Sequence, residues 1–339
     1  MPDDTGHRTQ DKNKYTNTYT ESEGDVFLRE PPGSYPSHMP YTVVNIPSVT
    51  GKKINAWLYE PSTPGPHAVL VMGGGIGTVK AGGLPPFAEA FQAEGYAALT
   101  LDYLSFGDSE GTHRNVLSLS QQLQDFRDVI SWVRNNPSFD NEKIVAWGSS
   151  LGAMNATGLI AEDYAIAAAI VQCPAVDGLL AALQVPLWRS LTLTLLAALD
   201  TIASWVGLGP IYVTTANTGK NKLAMLSAHD VPEGWARLMP EDGRPFLNQF
   251  AARGLFSILV HRPGRRAGRS IKPYLAICTE HDTVASLKAA EHAAKIAPLG
   301  EIVKVKGGHF DVYKGGISFD EGLKAQLEFL KRVVPLSKT

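Results

Sequence analysis

A chain of 339 residues, 44% of them hydrophobic, can bury a substantial core, and at this length one core with a sizeable insertion is the first expectation. A formal net charge of -2 and a pI near 6.5 give no global field that would recruit nucleic acid or an anionic membrane, so small or neutral partners are favoured. Cys173 and Cys278 are too few for a disulfide framework and lack metal-ligand spacing. Each lies near the end of an apolar run, which predicts buried free thiols and a reducing, cytoplasmic setting.

Residues 1–40 are polar, first charged and Thr-rich and then Pro-rich, and read as a loosely ordered N-terminal arm. Their first twenty positions contain no apolar stretch suited to a secretory signal or anchor, and no apolar run in the chain reaches the roughly 18 residues of a spanning helix. Beyond the arm the pattern becomes regular. Apolar segments at 41–49, 54–61, 67–75 and 96–103 read as strands bounded by Gly, Pro or Asp, and "FAEAFQAEG" (87–95) reads as a helix stopped at Gly95. A long helix follows, opened by a Ser118 to Gln121 capping-box spacing and repeating apolar residues at Leu123, Phe126, Ile130 and Val133. Strand 143–147, a helix through Ala153 to Ala161 and strand 165–173 continue the alternation. Strands apolar on both faces and separated by helices argue for a mainly parallel sheet covered by helices.

From 175 to 270 the rhythm changes, because long apolar stretches look helical and no clear strand returns until 273–279. This predicts a helical lid inserted over the sheet, dividing the core into 41–174 and 271–339. A helix at 286–296, a strand at 301–305 and a last helix opened by Ser318, with Glu321 three residues on, complete an eight-stranded α/β core.

The stretch "AWGSSLGAMNA" (146–156) follows a strand and opens a helix. So abrupt a turn strains its central residue and tolerates only minimal neighbours, which Gly148 and Gly152 supply in G-x-S-x-G spacing around Ser150. Ser149 lacks that symmetry and is expected to point away or pack. A serine hydroxyl needs a general base held by a third group. Of the nine histidines, His309 in "VKGGHFDVY" stands just past the final strand, on a loop that two glycines free to reach across the sheet edge. The orienting acid should lie between the two at another strand end, which selects Asp282, with Asp177 in "CPAVDG" as the rival. Donors for a developing oxyanion are each worth about 3 kcal/mol. They are expected from the Leu151 amide and, in the Gly-rich loop "MGGGIGTVK" (72–80), from the amide of Ile76 or Gly75. That loop lacks the Gly-Lys-Ser/Thr ending of a phosphate cradle and the spacing of a dinucleotide fingerprint, and no cofactor or metal is expected.

Serine elbow, acid and histidine in this order, preceded by a Gly-rich loop and by "DYLSFGDSEG" (102–111), resemble the α/β-hydrolase superfamily over residues 41–336. One departure is that the His-Gly pair usual before the oxyanion residue is here Gly74-Gly75. More narrowly, "GKKINAWLYEP", "MGGGIGTVKAGGLPPFAEAF" and "KGGHFDVYKGG" resemble hydrolases of fungal polyketide gene clusters, related to dienelactone-hydrolase-like and Xaa-Pro-peptidase-like esterases. The resemblance implies release, transfer or trimming of a polyketide acyl group.

Leu and Trp residues of the insertion, among them Leu180, Leu183, Trp188, Leu196 and Trp205, would suit a pocket for a hydrophobic acyl chain, although they also serve plain packing. The loop "HRPGRRAGR" (261–269) reads as solvated, or as a dock for an acidic acyl carrier protein or its phosphopantetheine arm. Hydrolysis of an ester or thioester through an acyl enzyme is the leading expectation. Acyl transfer or cyclisation, carbon-carbon bond cleavage in the same pocket, and a non-catalytic binding protein are the alternatives. Oligomerisation is left open by the sequence.

Overall fold

In the computed structural model residues 40–219, 223–240, 243 and 246–336 are described; the expected N-terminal arm lies outside them apart from Pro40. The first half of the chain runs β1 (Thr42–Pro47), β2 (Lys53–Tyr59), β3 (His67–Gly73), α1 (Pro85–Ala93), β4 (Ala97–Leu101), α2 (Leu119–Arg134), β5 (Phe139–Ser149), α3 (Gly152–Ala161) and β6 (Ala168–Gln172). The second half runs α4 (Gly178–Ala182), α5 (Leu187–Trp205), β7 (Tyr212–Thr214), α6 (Val231–Arg237), β8 (Gln249–Ala251), α7 (Gly254–Val260), β9 (Tyr274–Thr279), α8 (Leu287–Ile296), β10 (Gly300–Val305) and α9 (Phe319–Val333). A 3-10 helix, Pro263–Arg269, precedes β9.

Eight strands form one sheet in the order β1-β2-β4-β3-β5-β6-β9-β10, antiparallel at β1/β2 and β2/β4 and parallel elsewhere. Every residue of β3, β4, β6 and β9 is buried, as uninterrupted apolar runs require when helices cover both faces. The edge strands β1 and β10 keep exposed positions. Helices α1 and α9 share one face, where Phe87 packs against Trp147 and Phe319 at ring separations of 5.4 and 5.1 Å. On the other face lie α2, α3 and α8. Trp147 donates to Gln326 (2.7 Å) and Gln326 to Gln172 (3.0 Å), so a buried polar chain fixes α9 to the centre of the sheet.

Register aligns the rim. Gly73 of β3 pairs with Gly148 of β5, and Ser149 pairs with Gln172 of β6, so three central strands end together. The acid and histidine loops leave the next two strands, β9 and β10, at the same end.

Three local expectations are corrected. The insertion contains strand after all: β7 and β8 form a three-residue antiparallel pair, too short to impose a visible alternation. Ser118 caps α2 through the Gln121 amide (3.4 Å), but the Gln121 side chain turns to Asp125 (2.9 Å) instead of completing the box. Ser318 makes no side-chain cap; its hydroxyl donates to the Lys306 carbonyl (2.8 Å) and ties the start of α9 to the end of β10.

Candidate active site

Between β5 and α3 the chain reverses at Ser150, whose φ is +53°, a region that residues with a Cβ rarely occupy. The surroundings explain how the strain is held. A Cβ on Gly148 would collide with the Gly152 carbonyl, and one on Gly152 with the carbonyls of Gly73 and Gly74, so the turn closes only with glycine at both positions. The Ser150 amide donates to the Gln172 carbonyl (2.9 Å), and its own carbonyl accepts from Ala153 and Ala175 (both 3.1 Å). Ser149 points inward, with its hydroxyl 2.6 Å from that of Tyr313.

The side chains expected to cooperate come together. Ser150 Oγ lies 2.9 Å from His309 Nε2, and His309 Nδ1 lies 2.9 Å from both Asp282 oxygens. Asp282 is itself held by the amides of Val284 (2.9 Å) and Ala285 (2.6 Å), which leaves its carboxylate one orientation. His309 is almost fully buried. Burial works against the imidazolium, but the adjacent Asp282 carboxylate outweighs it and holds the His309 pKa well above its ordinary 6.5. The imidazole also packs edge-on against Phe310, ring centres 5.0 Å apart.

Across from the serine, a Cβ on Gly75 would touch the Ser150 side chain (3.2 Å), so the Gly-rich loop runs directly beside the hydroxyl. Among the described residues, no carbonyl takes the amide hydrogens of Ile76 or Leu151, and both residues line the same cavity as Ser150.

What holds this loop was not read from the sequence. Lys80, 2% exposed, places its ammonium 2.6 Å from Asp102 and 2.6 Å from Asp108, while its amide donates to Asp102 (2.6 Å). The loop after β3 is thereby riveted to the loop after β4. No spacing rule links a lysine to acids 22 and 28 positions later.

Asp177, the rival acid, is engaged elsewhere. It accepts from Arg262 (2.8 and 3.0 Å) and Arg265 (3.0 Å), and also caps α4 through the Leu180 amide (3.1 Å). Burial disfavours its charge, but Arg262 and Arg265 prevail and lower its pKa. The same stretch is laced by backbone: Gly178 donates to the His261 carbonyl (2.9 Å) and Gly264 to that of Val176 (3.0 Å). Two of the four arginines of the 261–269 loop are thus committed to a stem that joins the two ends of the 175–270 segment.

That segment also reaches the rim. Asp230 accepts from the Thr283 hydroxyl (2.7 Å), Arg237 pairs with Asp311 (3.0 Å), and Gly234 of α6 lies so close against Phe310 that no side chain would fit. With the core it encloses a cavity of about 270 Å³ over Ser150, lined mostly by apolar groups including Ile76, Met154, Val185, Pro186, Met225 and Ile258. Cys173 and Cys278 are both free and buried, as expected, and burial raises the Cys278 pKa, keeping it a thiol.

Residues 7–185 match the profile of the X-Pro dipeptidyl-peptidase (S15) family. The chain is 36% identical to the quorum-quenching protein AidA of Acinetobacter baumannii over 284 residues, 84% of this chain and 92% of that one. It is 29% identical to the polyketide transferase ATR5 of Stachybotrys chlorohalonatus, over 86% of this chain and 97% of the relative. The crystal structure of the α/β hydrolase GrgF from a Penicillium species superposes with a TM-score of 0.72 at 25% identity, covering 88% of this chain and all of that one. The rim, the serine turn and these relatives agree, and the chain belongs to the X-Pro dipeptidyl-peptidase (S15) family and is an enzyme of the α/β-hydrolase fold.

Proposed function

We propose that the protein is a serine acyl hydrolase or acyltransferase that acts on an ester or thioester of a hydrophobic, polyketide-like chain. The observation that carries this reading is the unbroken line from Asp282 through His309 to Ser150 Oγ, each link 2.9 Å, at the floor of an apolar cavity. His309 removes the Ser150 proton as Oγ attacks the carbonyl, and Asp282 steadies the imidazolium that forms. The amides of Ile76 and Leu151 receive the oxyanion. His309 then protonates the departing alcohol or thiol, leaving an acyl enzyme that water, or an acceptor alcohol or amine, resolves. Among the described lining residues none is acidic and able to pair with the free amine of a dipeptidyl substrate, which favours acyl chains over peptides.

Residues 175–270 serve as the lid over the 41–174 and 271–339 core. In the 261–269 loop Arg266 and Arg269 are the arginines not bonded to Asp177 and would meet a carrier-borne thioester, and the unbridged cysteines suit a cytoplasmic location. Likeness to polyketide transferases supports transfer as well as hydrolysis. The higher identity to a quorum-quenching protein favours a second reading, in which the same machinery opens an ester-bearing signal molecule.

Intact-mass spectrometry after treatment with a fluorophosphonate should show one adduct, absent in Ser150→Ala, followed by acyl adducts from candidate thioesters. Turnover that survives Ser150→Ala would overturn the acyl-enzyme reading, including in favour of carbon-carbon bond chemistry. Product ratios with and without an acceptor alcohol separate transfer from hydrolysis.

A further inference from the structure

Helix α5 carries an apolar face that none of the described residues covers. Trp188, Leu191, Leu195, Leu199, Ile202 and Trp205 are between 45% and 80% exposed, although Leu193, Ala197 and Asp200 on the opposite side are buried. At 100° per residue these six fall within about a third of the helix circumference, forming one stripe along 19 residues, or roughly 28 Å. Their exposed surface is on the order of 700 Å², with Leu187, Val206 and Leu208 extending it at the ends. Soluble monomers seldom leave so large a contiguous apolar patch in water, and a stable dimer needs about 800 Å² from each partner.

No residue of the stripe is itself charged, and the Arg189 guanidinium lies over the Trp188 ring at one end of it, 5.2 Å from the centroid. The only ionisable residues of α5 are Arg189, which is turned to Ser227, and Asp200, which is buried against Arg253 (3.2 Å) and the Ile211 amide (2.8 Å). Like surfaces can therefore meet without repulsion. Its order is close to a palindrome, Trp-Leu-Leu-Leu-Ile-Trp, centred between Leu195 and Leu199. An isologous contact asks for this pattern, because under a two-fold axis residue i meets j and j meets i.

We propose that two copies of this chain associate through α5, antiparallel about a two-fold axis, with Trp188 beside the partner's Trp205, Leu191 beside the partner's Ile202, and Leu195 beside the partner's Leu199. A lipid surface is the rival occupant, but interfacial helices carry Lys and Arg on their polar side, and the only cation of α5 is Arg189. Val185 and Pro186, which immediately precede the helix, line the Ser150 cavity, so the dimer would brace one wall of the substrate site.

Light scattering and sedimentation at micromolar concentration should give twice the chain mass of 36.5 kDa, falling to one chain in Leu195→Glu with an unchanged far-UV spectrum. Should that variant not fold, cross-linking decides: mixing a Leu191→Cys protein with an Ile202→Cys protein should give a disulfide-linked pair far in excess of either protein alone. A wild-type monomer, including one that floats with phosphatidylcholine vesicles, overturns the proposal. So does a dimer indifferent to Leu195→Glu, or preferential linkage of Leu191→Cys to itself.

Discussion

The sheet rim and the segment that covers it are built on different principles. At the rim position is enforced by exclusion: glycines 148 and 152 touch backbone so closely that the serine turn has one geometry, and Asp282 is pinned by two amides. The cover is held by polar clamps, Asp177 with Arg262 and Arg265 at the stem, Asp230 and Arg237 against the acid and histidine loops, and Tyr212, Gln249 and Ser257 against residues 114–119 of the core, while its outer helix leaves apolar side chains exposed. On the proposed reading, chemistry rests on close backbone packing and substrate preference on contacts that can be exchanged one at a time.

Substitutions sharpen this contrast. Asp282→Asn, which preserves shape but removes the charge that raises the His309 pKa, should lower kcat/KM about 10⁴-fold. The base must be neutral to accept the Ser150 proton, so wild-type activity should rise with pH through a pKa above 6.5, and in Asp282→Asn the residual rate should have that limb displaced to lower pH. A pH–rate profile of both proteins checks the sign; a limb that does not move would deny Asp282 its role. Lys80→Met strands Asp102 and loosens the Gly-rich loop, and should cost about 10- to 100-fold in kcat with little change in KM, if the loop amide serves the transition state alone. Asp177→Ala attacks the cover: about 2 kcal/mol less stability in urea unfolding and a raised KM for long-chain esters, with short-ester kcat within a few-fold of wild type. Ser149→Ala, one position from Ser150, should cost only about 1 kcal/mol for the lost Tyr313 contact and leave turnover within a few-fold. Large loss of activity there would mean that the roles of the two serines are misassigned.

What the sequence disclosed follows the same division. That Ser150, Asp282 and His309 meet was legible because each sits at a strand end, and strand ends are announced by apolar runs that stop at small or polar residues. The eight-strand core was legible for the same reason. The Lys80 rivet was not, since it joins two loops through side chains whose pairing no periodicity encodes. Asp177 and the arginine-rich loop were both visible as charged features, but their union depends on the path of about 85 intervening residues. Leu187 and Leu195 of α5 were visible too; that they are exposed, while Leu193 is buried, depends on which side of the helix meets the core, and leucines spread around a helix leave that undetermined.

Because Gly178 bonds to the His261 carbonyl and Gly264 to that of Val176, the cover leaves and re-enters the core through adjacent points. On the proposed reading, transplanting residues 178–261 from a relative should carry acyl-chain preference with it while turnover of short esters stays within a few-fold of the host's, because the two chain ends to be joined already meet.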